Sequence, residues 1–293
     1  MTYSTISFPG LGIELNPGVS LDIGPVSIHY YGLLIALGLL LAAVYGLRRK
    51  KEFGLNEDQI IDGALIIVPI AVICARIYYC IFSWSEYRNN PIEVLYIWNG
   101  GLAIYGAVIG AAVSIVVYCK VRKLSLPAVL DITALGFLIG QTIGRWGNFF
   151  NREAFGAETE SFLRMGLTKV LSGTTTYHHP TFLYESVWNL IGFVGLHFLS
   201  KRRKYDGQIA LGYVAWYGLG RAFIEGLRAD SLYWGPIRIS QLLAAVSCLA
   251  AVGMLVWQAF KPHKEADLFC NRVAAAELAA AQLEEPTAET EKE

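Results

Sequence analysis

The chain has 293 residues, of which 54% are hydrophobic and 16% charged, with a mean hydropathy of +0.43. That is too much apolar surface for one water-soluble core, so the composition excludes an ordinary soluble domain and points to a membrane protein. The formal net charge of zero says nothing about partners, because basic residues cluster between apolar runs and acidic ones crowd the C-terminus.

A helix needs ~20 mostly apolar residues to cross the hydrocarbon core. Such stretches are expected at about 28–47, 60–82, 102–119, 128–146, 181–199, 207–227 and 237–259. The expected fold is an all-α integral membrane protein, a bundle of about seven transmembrane helices with a small periplasmic loop region. Residues 1–260 are expected to form the transmembrane domain, with a loop at about 147–180, and 261–293 an acidic tail that begins as a short helix.

Basic clusters follow the first, third, fifth and seventh stretches: Arg48, Arg49, Lys50 and Lys51; Lys120, Arg122 and Lys123; Lys201, Arg202, Arg203 and Lys204; Lys261 and Lys264. The positive-inside rule places all of them in the cytoplasm. The N-terminus is then outside, the C-terminus inside, and the loops near 83–101, 147–180 and 228–236 face the periplasm or cell exterior. No Lys or Arg precedes Arg48, so a cleaved signal peptide is not expected. No lipobox-like cysteine lies near the N-terminus, and no repeat or inverted pair of broken helices suggests a transporter's two halves. Cys74, Cys80, Cys119, Cys248 and Cys270 lack paired or metal-ligand spacing and read as small membrane-helix residues.

Several ionisable residues fall inside or at the ends of apolar stretches: Asp62, Arg76, Asp131, Arg145, Arg221, Glu225 and Arg228. An Arg or Asp at a helix centre costs roughly 2.5 to 3.5 kcal/mol on the insertion scale, so each needs a partner or a function. Tyr217, Arg221, Glu225 and Arg228 recur at helical spacing and form one polar stripe; Gln141, Arg145 and Asn148 form another, beside Gly140, Gly144 and Gly147. Bidentate guanidinium groups suit a phospholipid phosphate. The bland alternative is that Arg221 pairs with Glu225 while Arg145 snorkels from its helix end. Arg76, after Cys74 and Ala75 and before Tyr78 and Tyr79, reads first as structural.

The segment Gly144-Arg145-Trp146-Gly147-Asn148-Phe149-Phe150-Asn151-Arg152-Glu153-Ala154-Phe155-Gly156 is dense in Gly, Asn and charge where a span meets the outer surface. It resembles the GRxGNFxNxExxG signature of the prolipoprotein diacylglyceryl transferase family, a long pattern with low chance occurrence. Supporting matches are His29-Tyr30-Tyr31-Gly32, His179-Pro180 with Tyr184-Glu185, and Tyr217-Gly218 with Arg221 and Glu225. The resemblance spans about 20–258 and leaves out the tail. It implies that Arg145 and Arg221 are essential and that Tyr31, Asn148, Asn151, Glu153, Gly156, Tyr217 and Glu225 belong to the lipid-binding and catalytic neighbourhood. One position departs from the family pattern: Tyr105, within Ala103-Ile104-Tyr105-Gly106-Ala107, stands where many members carry a catalytic histidine.

The implied reaction moves the diacylglyceryl group of phosphatidylglycerol to the lipobox cysteine of a prolipoprotein signal peptide, at the bacterial inner membrane. With a pKa of ~10, Tyr105 is a poor simple base and better suited to orienting a phosphate oxygen. The thiol proton is left to His29, His179, Glu153 or water. Nothing has the spacing of a metal site, so no metal or other cofactor is expected, and membrane lipid rather than nucleic acid is the expected partner. The stretch 157–178 reads either as a lid or as a plain surface loop. An anion transporter and an inert lipid-binding scaffold remain the rival readings.

Overall fold

The computed structural model describes residues 3–24, 26–228, 233–234 and 237–284. The outer ends of the tail and most of the 228–236 loop named above therefore lie outside the described residues. The chain divides into two compact units, Met1–Tyr45 with Asp131–Glu265, and Gly46–Leu130 with Ala266–Glu293.

Each expected span coincides with a helix: α1 (Tyr30–Arg49), α2 (Glu57–Phe82), α4 (Ile104–Val121), α5 (Leu126–Asn151), α6 (Thr181–Ser200), α7 (Gln208–Glu225) and α8 (Ile239–Ala259). A short α3 (Trp84–Tyr87) follows α2, and α9 (Phe269–Glu284) forms in the tail. Six of these helices are long and apolar enough to cross a membrane by length and composition, and α7 is not among them. The reason is polar content: Arg221 and Glu225 of the stripe, together with Gln208 at the start, dilute an 18-residue helix. Helix α5 runs five residues beyond the expected end, so Gly147 to Asn151 of the signature are its last turns rather than a loop.

The expected loop region is a sheet. Strands β1 (Tyr3–Phe8), β2 (Ile13–Leu15), β5 (Met165–Lys169) and β6 (Thr175–His178) form one antiparallel sheet in the order β2-β1-β5-β6. Much of 157–178 is thus a hairpin paired to the N-terminal strand, not a lone lid. Two small hairpins complete the unit, β3 (Ser20–Ile23) with β4 (Val26–His29), and β7 (Tyr233–Trp234) with β8 (Ile237–Arg238). Ile6, Phe8, Met165 and Leu167 of the sheet bury against Phe149 of α5 and Phe182 of α6. That apolar cluster fixes the end of α5 that carries the signature.

Helix packing in both units relies on small residues, as lipid offers no hydrophobic drive for helices to associate. In the first unit a Cβ on Gly38 of α1 would come within 3.2 Å of the Gly140 Cα of α5, and one on Gly218 of α7 within 2.8 Å of the Ala244 carbonyl of α8. In the second, Gly106 and Gly110 of α4 lie against Cys74, Ala75 and Ala71 of α2. Asp131 of α5, fully buried, accepts from the backbone N–H groups of Gly207 and Ala210 at 2.8 Å and so caps α7. Asp62 meets Arg122 at 3.2 Å. The start of the tail is not free: Leu268 is buried, and Gly54 lies against the backbone of Cys270.

Candidate functional site

Helices α6 and α7 are held in register by two tryptophans. Trp188 and Trp216 stack with ring centroids 4.2 Å apart, and each indole N–H donates to the other's backbone carbonyl, at 3.0 and 2.9 Å. Gly192 and Gly220 leave room for the rings: a Cβ on Gly220 would come within 2.7 Å of Trp188 Cε2. Helix α5 joins them where Trp146 Nε1 donates to Ser186 Oγ at 3.2 Å and Ser186 Oγ donates to the Thr142 carbonyl at 2.8 Å. Three helices thereby bring their charged residues to one level.

At that level sit two buried carboxylates, Glu185 of α6 (4% exposed) and Glu225 of α7 (2%). Arg145 reaches Glu185 at 2.6 Å; Arg221 reaches Glu185 at 3.3 Å and Glu225 at 2.6 Å. Arg228 adds longer contacts, 3.8 Å to Glu185 and 4.0 Å to Glu225. Arg238, at the end of β8, donates to the Glu225 carbonyl. Burying a charge is tolerated only when it is paired, and here each carboxylate meets at least two guanidinium groups. Among the described residues, the guanidinium groups of Arg145, Arg221 and Arg228 converge on these two carboxylates. The side chains of Arg145 and Arg221 keep 22% and 20% of their surface exposed, so neither is sealed inside the protein.

A polar chain extends from Arg145 along the signature. Arg145 donates to Asn148 Oδ1 at 3.4 Å, and Asn148 and Asn151 donate to Glu153 Oε1 at 3.0 and 3.2 Å. Glu153 sits between Arg152 and Ala154, whose φ angles of 53° and 55° are unusual for residues with a Cβ. Arg152 is held there by the carbonyls of Ser4, Pro17 and Phe150 and by Asn16 Oδ1. Its role is to tie the N-terminal strands to the helix end, and burial lowers its pKa. Gly156 pairs with Arg228 in an isolated β-bridge and donates to the His179 carbonyl at 2.9 Å. A Cβ there would come within 2.7 Å of His179 Cβ and 2.8 Å of the Leu227 carbonyl, so only glycine lets the chain after α7 approach and deliver Arg228. The stripe from Tyr217 to Arg228 is therefore not one helix face throughout: α7 ends at Glu225, and Arg228 arrives through a turn and this bridge.

The remaining expected residues divide. Tyr31 lies over Gly147, its ring filling the space a Cβ would need. Tyr217 stacks on Tyr213 at 5.7 Å, and the Tyr213 hydroxyl accepts from Gln141 at 2.9 Å. His29 is exposed at the end of β4, whereas burial lowers the pKa of His179, which lies 3.3 Å from the Tyr184 hydroxyl. Tyr105 belongs to the other unit, where it is exposed and lies 6.3 Å from the ring of Tyr78. Glu185 and Arg238 were not among the expected site residues. Glu185 had a signal, a carboxylate in an otherwise apolar span, but Arg238 had none.

A family model described as prolipoprotein diacylglyceryl transferase matches residues 18–257. The chain is 43% identical over 273 residues to the phosphatidylglycerol–prolipoprotein diacylglyceryl transferase of Limosilactobacillus reuteri DSM 20016, covering 90% of this chain and 98% of that one. It is 42% identical over 258 residues to the protein of the same name from Lysinibacillus sphaericus C3-41, covering 85% and 94%. With its counterpart in Listeria monocytogenes serotype 4b it shares 40% identity over 258 residues, covering 86% and 93%. The chain belongs to the prolipoprotein diacylglyceryl transferase family. The family match takes in the signature, both carboxylates and all four arginines of the cluster, and it stops short of the acidic tail. This member of the transferase family carries tyrosine at 105 and keeps the signature intact from Gly144 to Gly156.

Proposed function

We propose that this transferase moves the diacylglyceryl group of phosphatidylglycerol to the lipobox cysteine of prolipoproteins, forming a thioether and releasing glycerol phosphate, the first step of lipoprotein modification. The observation that carries the reading is the convergence of Arg145, which lies in the family signature, and Arg221 on Glu185, with both arginine side chains partly exposed. The phosphodiester of phosphatidylglycerol is a monoanion, and a guanidinium fork suits its oxygens. Arg145 and Arg221 bind its oxygens, and the Asn148–Asn151–Glu153 chain orients Arg145 and contacts the headgroup.

The substrate cysteine supplies the nucleophile. Its sulfur attacks the glyceryl carbon bonded to the phosphate oxygen, the carbon–oxygen bond breaks, and the electron pair leaves on the phosphate. Negative charge on that departing ester is what fixed guanidinium groups in a site shielded from water stabilise best. The same field favours thiolate, which is only a few per cent of a free cysteine at pH 7. The leaving phosphate takes up the thiol proton, so no tyrosine of pKa ~10 has to act as a base.

The protein is a multi-pass membrane protein. The basic clusters support an inner-membrane orientation with the N-terminus outside and the C-terminus cytoplasmic, and an outward-facing sheet and signature. Phospholipid then arrives laterally, and the signal peptide presents its cysteine at the outer face. Residues 1–260 hold this machinery, and the tail is dispensable for the chemistry.

The test is mass spectrometry of a lipobox peptide incubated with purified protein and phosphatidylglycerol. A diacylglyceryl mass shift that disappears in Arg145→Ala is the expected result, and Tyr105→Phe shows whether that hydroxyl contributes. Absence of any shift with folded protein, together with anion flux in proteoliposomes, would replace this reading with a transporter.

A further inference from the structure

A segment of the second unit lies outside the cluster described above and has a demanding construction of its own. Between α2 and α4 the chain forms α3 and then two 3-10 turns, Pro91–Leu95 and Ile97–Asn99. Irregular backbone of this kind leaves carbonyls that no helical ladder satisfies. In water that is harmless, but at membrane depth each such carbonyl needs an internal donor.

Arg76 of α2 is that donor. It is only 5% exposed, and its guanidinium donates to the carbonyls of Gly100 (2.6 Å), Glu93 (2.7 Å), Val94 (2.8 Å), Gly101 (3.0 Å) and Tyr96 (3.4 Å). The ring of Tyr87 covers the guanidinium carbon at 5.1 Å. The Ala103 N–H donates to the Ala75 carbonyl at 3.1 Å, so the segment returns to α2 beside Arg76 before α4 begins. Gly101, with φ 74°, sits where a Cβ would strike the guanidinium and the ring of Tyr79.

The polar interior contrasts with the outside of the segment. Trp84, Ile92, Leu95 (68% exposed) and Trp98 (74%) project outward, and Tyr96 stacks on Trp98 at 5.1 Å. This face, which ends at the exposed Leu102, continues the exposed Ile77, Ile81 and Phe82 of α2 and the exposed Ile104 of α4, two helices long and apolar enough to cross a membrane. Arg88, Asn89 and Asn90 are exposed between them and suit the headgroup layer. Tryptophan and tyrosine concentrate at that boundary.

We infer that residues 84–102 lie embedded in the bilayer interface, with Trp84, Leu95 and Trp98 against lipid, and that Arg76 is the internal donor that makes this irregular backbone compatible with that depth. The occupant is lipid rather than a protein partner because the apolar face is continuous with the lipid-facing sides of α2 and α4. The inference is independent of the transfer chemistry.

The experiment uses the full chain in phosphatidylglycerol vesicles and takes the fluorescence of Trp98 as the difference between wild type and Trp98→Phe. Lipids brominated near the top of the acyl chain should quench that difference signal, and aqueous iodide should quench it at least severalfold less. Iodide quenching equal to or stronger than bromolipid quenching overturns the embedding. In Arg76→Lys, which keeps the charge but loses the fork of donors, iodide access to Trp98 should rise at least twofold. A folded Arg76→Lys protein with unchanged quenching overturns the role of Arg76, and the wild-type difference signal decides the embedding even if that variant does not fold.

Discussion

Arg145 and Arg221 end on the carboxylates of Glu185 and Glu225, whereas Arg76, in the other unit, ends on five backbone carbonyls and a tyrosine ring. All three lie in or at the end of an apolar helix and look alike in sequence. The difference lies in what remains after the contacts are made. Arg76 is buried with its donors committed to neutral acceptors, so it braces a loop. Arg145 and Arg221 share the acidic partner Glu185 and keep part of their side-chain surface exposed, which suits them to take an anion. An intramembrane arginine is thus read as a strut or as a site from its partners and its exposure, not from its depth.

The sharpest way to break that contrast is to remove a guanidinium from each unit. Arg221→Ala should lower transfer by about 10²-fold or more, in line with the loss of one donor to a developing anion; a rate assay with folded protein that shows less than a tenfold loss would place the phosphate elsewhere. Arg76→Ala should lower the melting temperature while costing less than tenfold in transfer, because it removes a brace and no phosphate contact.

Removing a carboxylate tests that shared pairing. Glu185→Ala leaves Arg145 and Arg221 without a shared partner and should destabilise the protein by on the order of 3 kcal/mol, read as a thermal shift in detergent. Gly156→Ala should reduce transfer with a smaller loss of stability, since its Cβ pushes the chain carrying Arg228 away from His179 and Leu227. Trp188→Phe forfeits an indole hydrogen bond and part of a stack, about 1 to 2 kcal/mol by thermal denaturation, and should shift the α6–α7 register enough to be felt in the rate.

The smallest effect is a pH dependence. Burial lowers the pKa of His179 below its unfolded value, so the unfolded chain binds more protons as pH falls below the ordinary histidine value of 6.5. Stability contributed by neutral His179 is present above that value and is lost on acidification. Melting temperatures at pH 7.5 and 5.5 should differ in that direction, and His179→Gln should narrow the gap.

Apolar runs located the six helices that are long and apolar enough to cross a membrane, because such a run is a local property and the bilayer sets its length, while α7 also stood at an expected stretch despite its polar residues. The signature located Arg145 and its neighbours, and the helical period placed Arg221 and Glu225 on one face. The sheet was not legible: β1 and β5 lie some 160 residues apart in the chain, as the pairing of Ser7 with Gly166 shows, and each strand is too short to announce itself. Nor were the hydrogen bonds of Arg76 to carbonyls 17 to 25 residues away, since a carbonyl is present at every position and leaves no mark in a sequence.

The sequence by itself determined where the chain can cross a membrane, which residues bring charge into those spans, and the family whose signature closes α5. Only the tertiary structure decided that Glu185 is the meeting point of Arg145 and Arg221, 40 and 36 residues away. The physical reason is that pairing across helices depends on their register, and this register is set by Trp188 stacked on Trp216, by glycines that admit the rings, and by Ser186 bridging α5 and α6. No local period encodes that arrangement, because it exists only once three helices have packed.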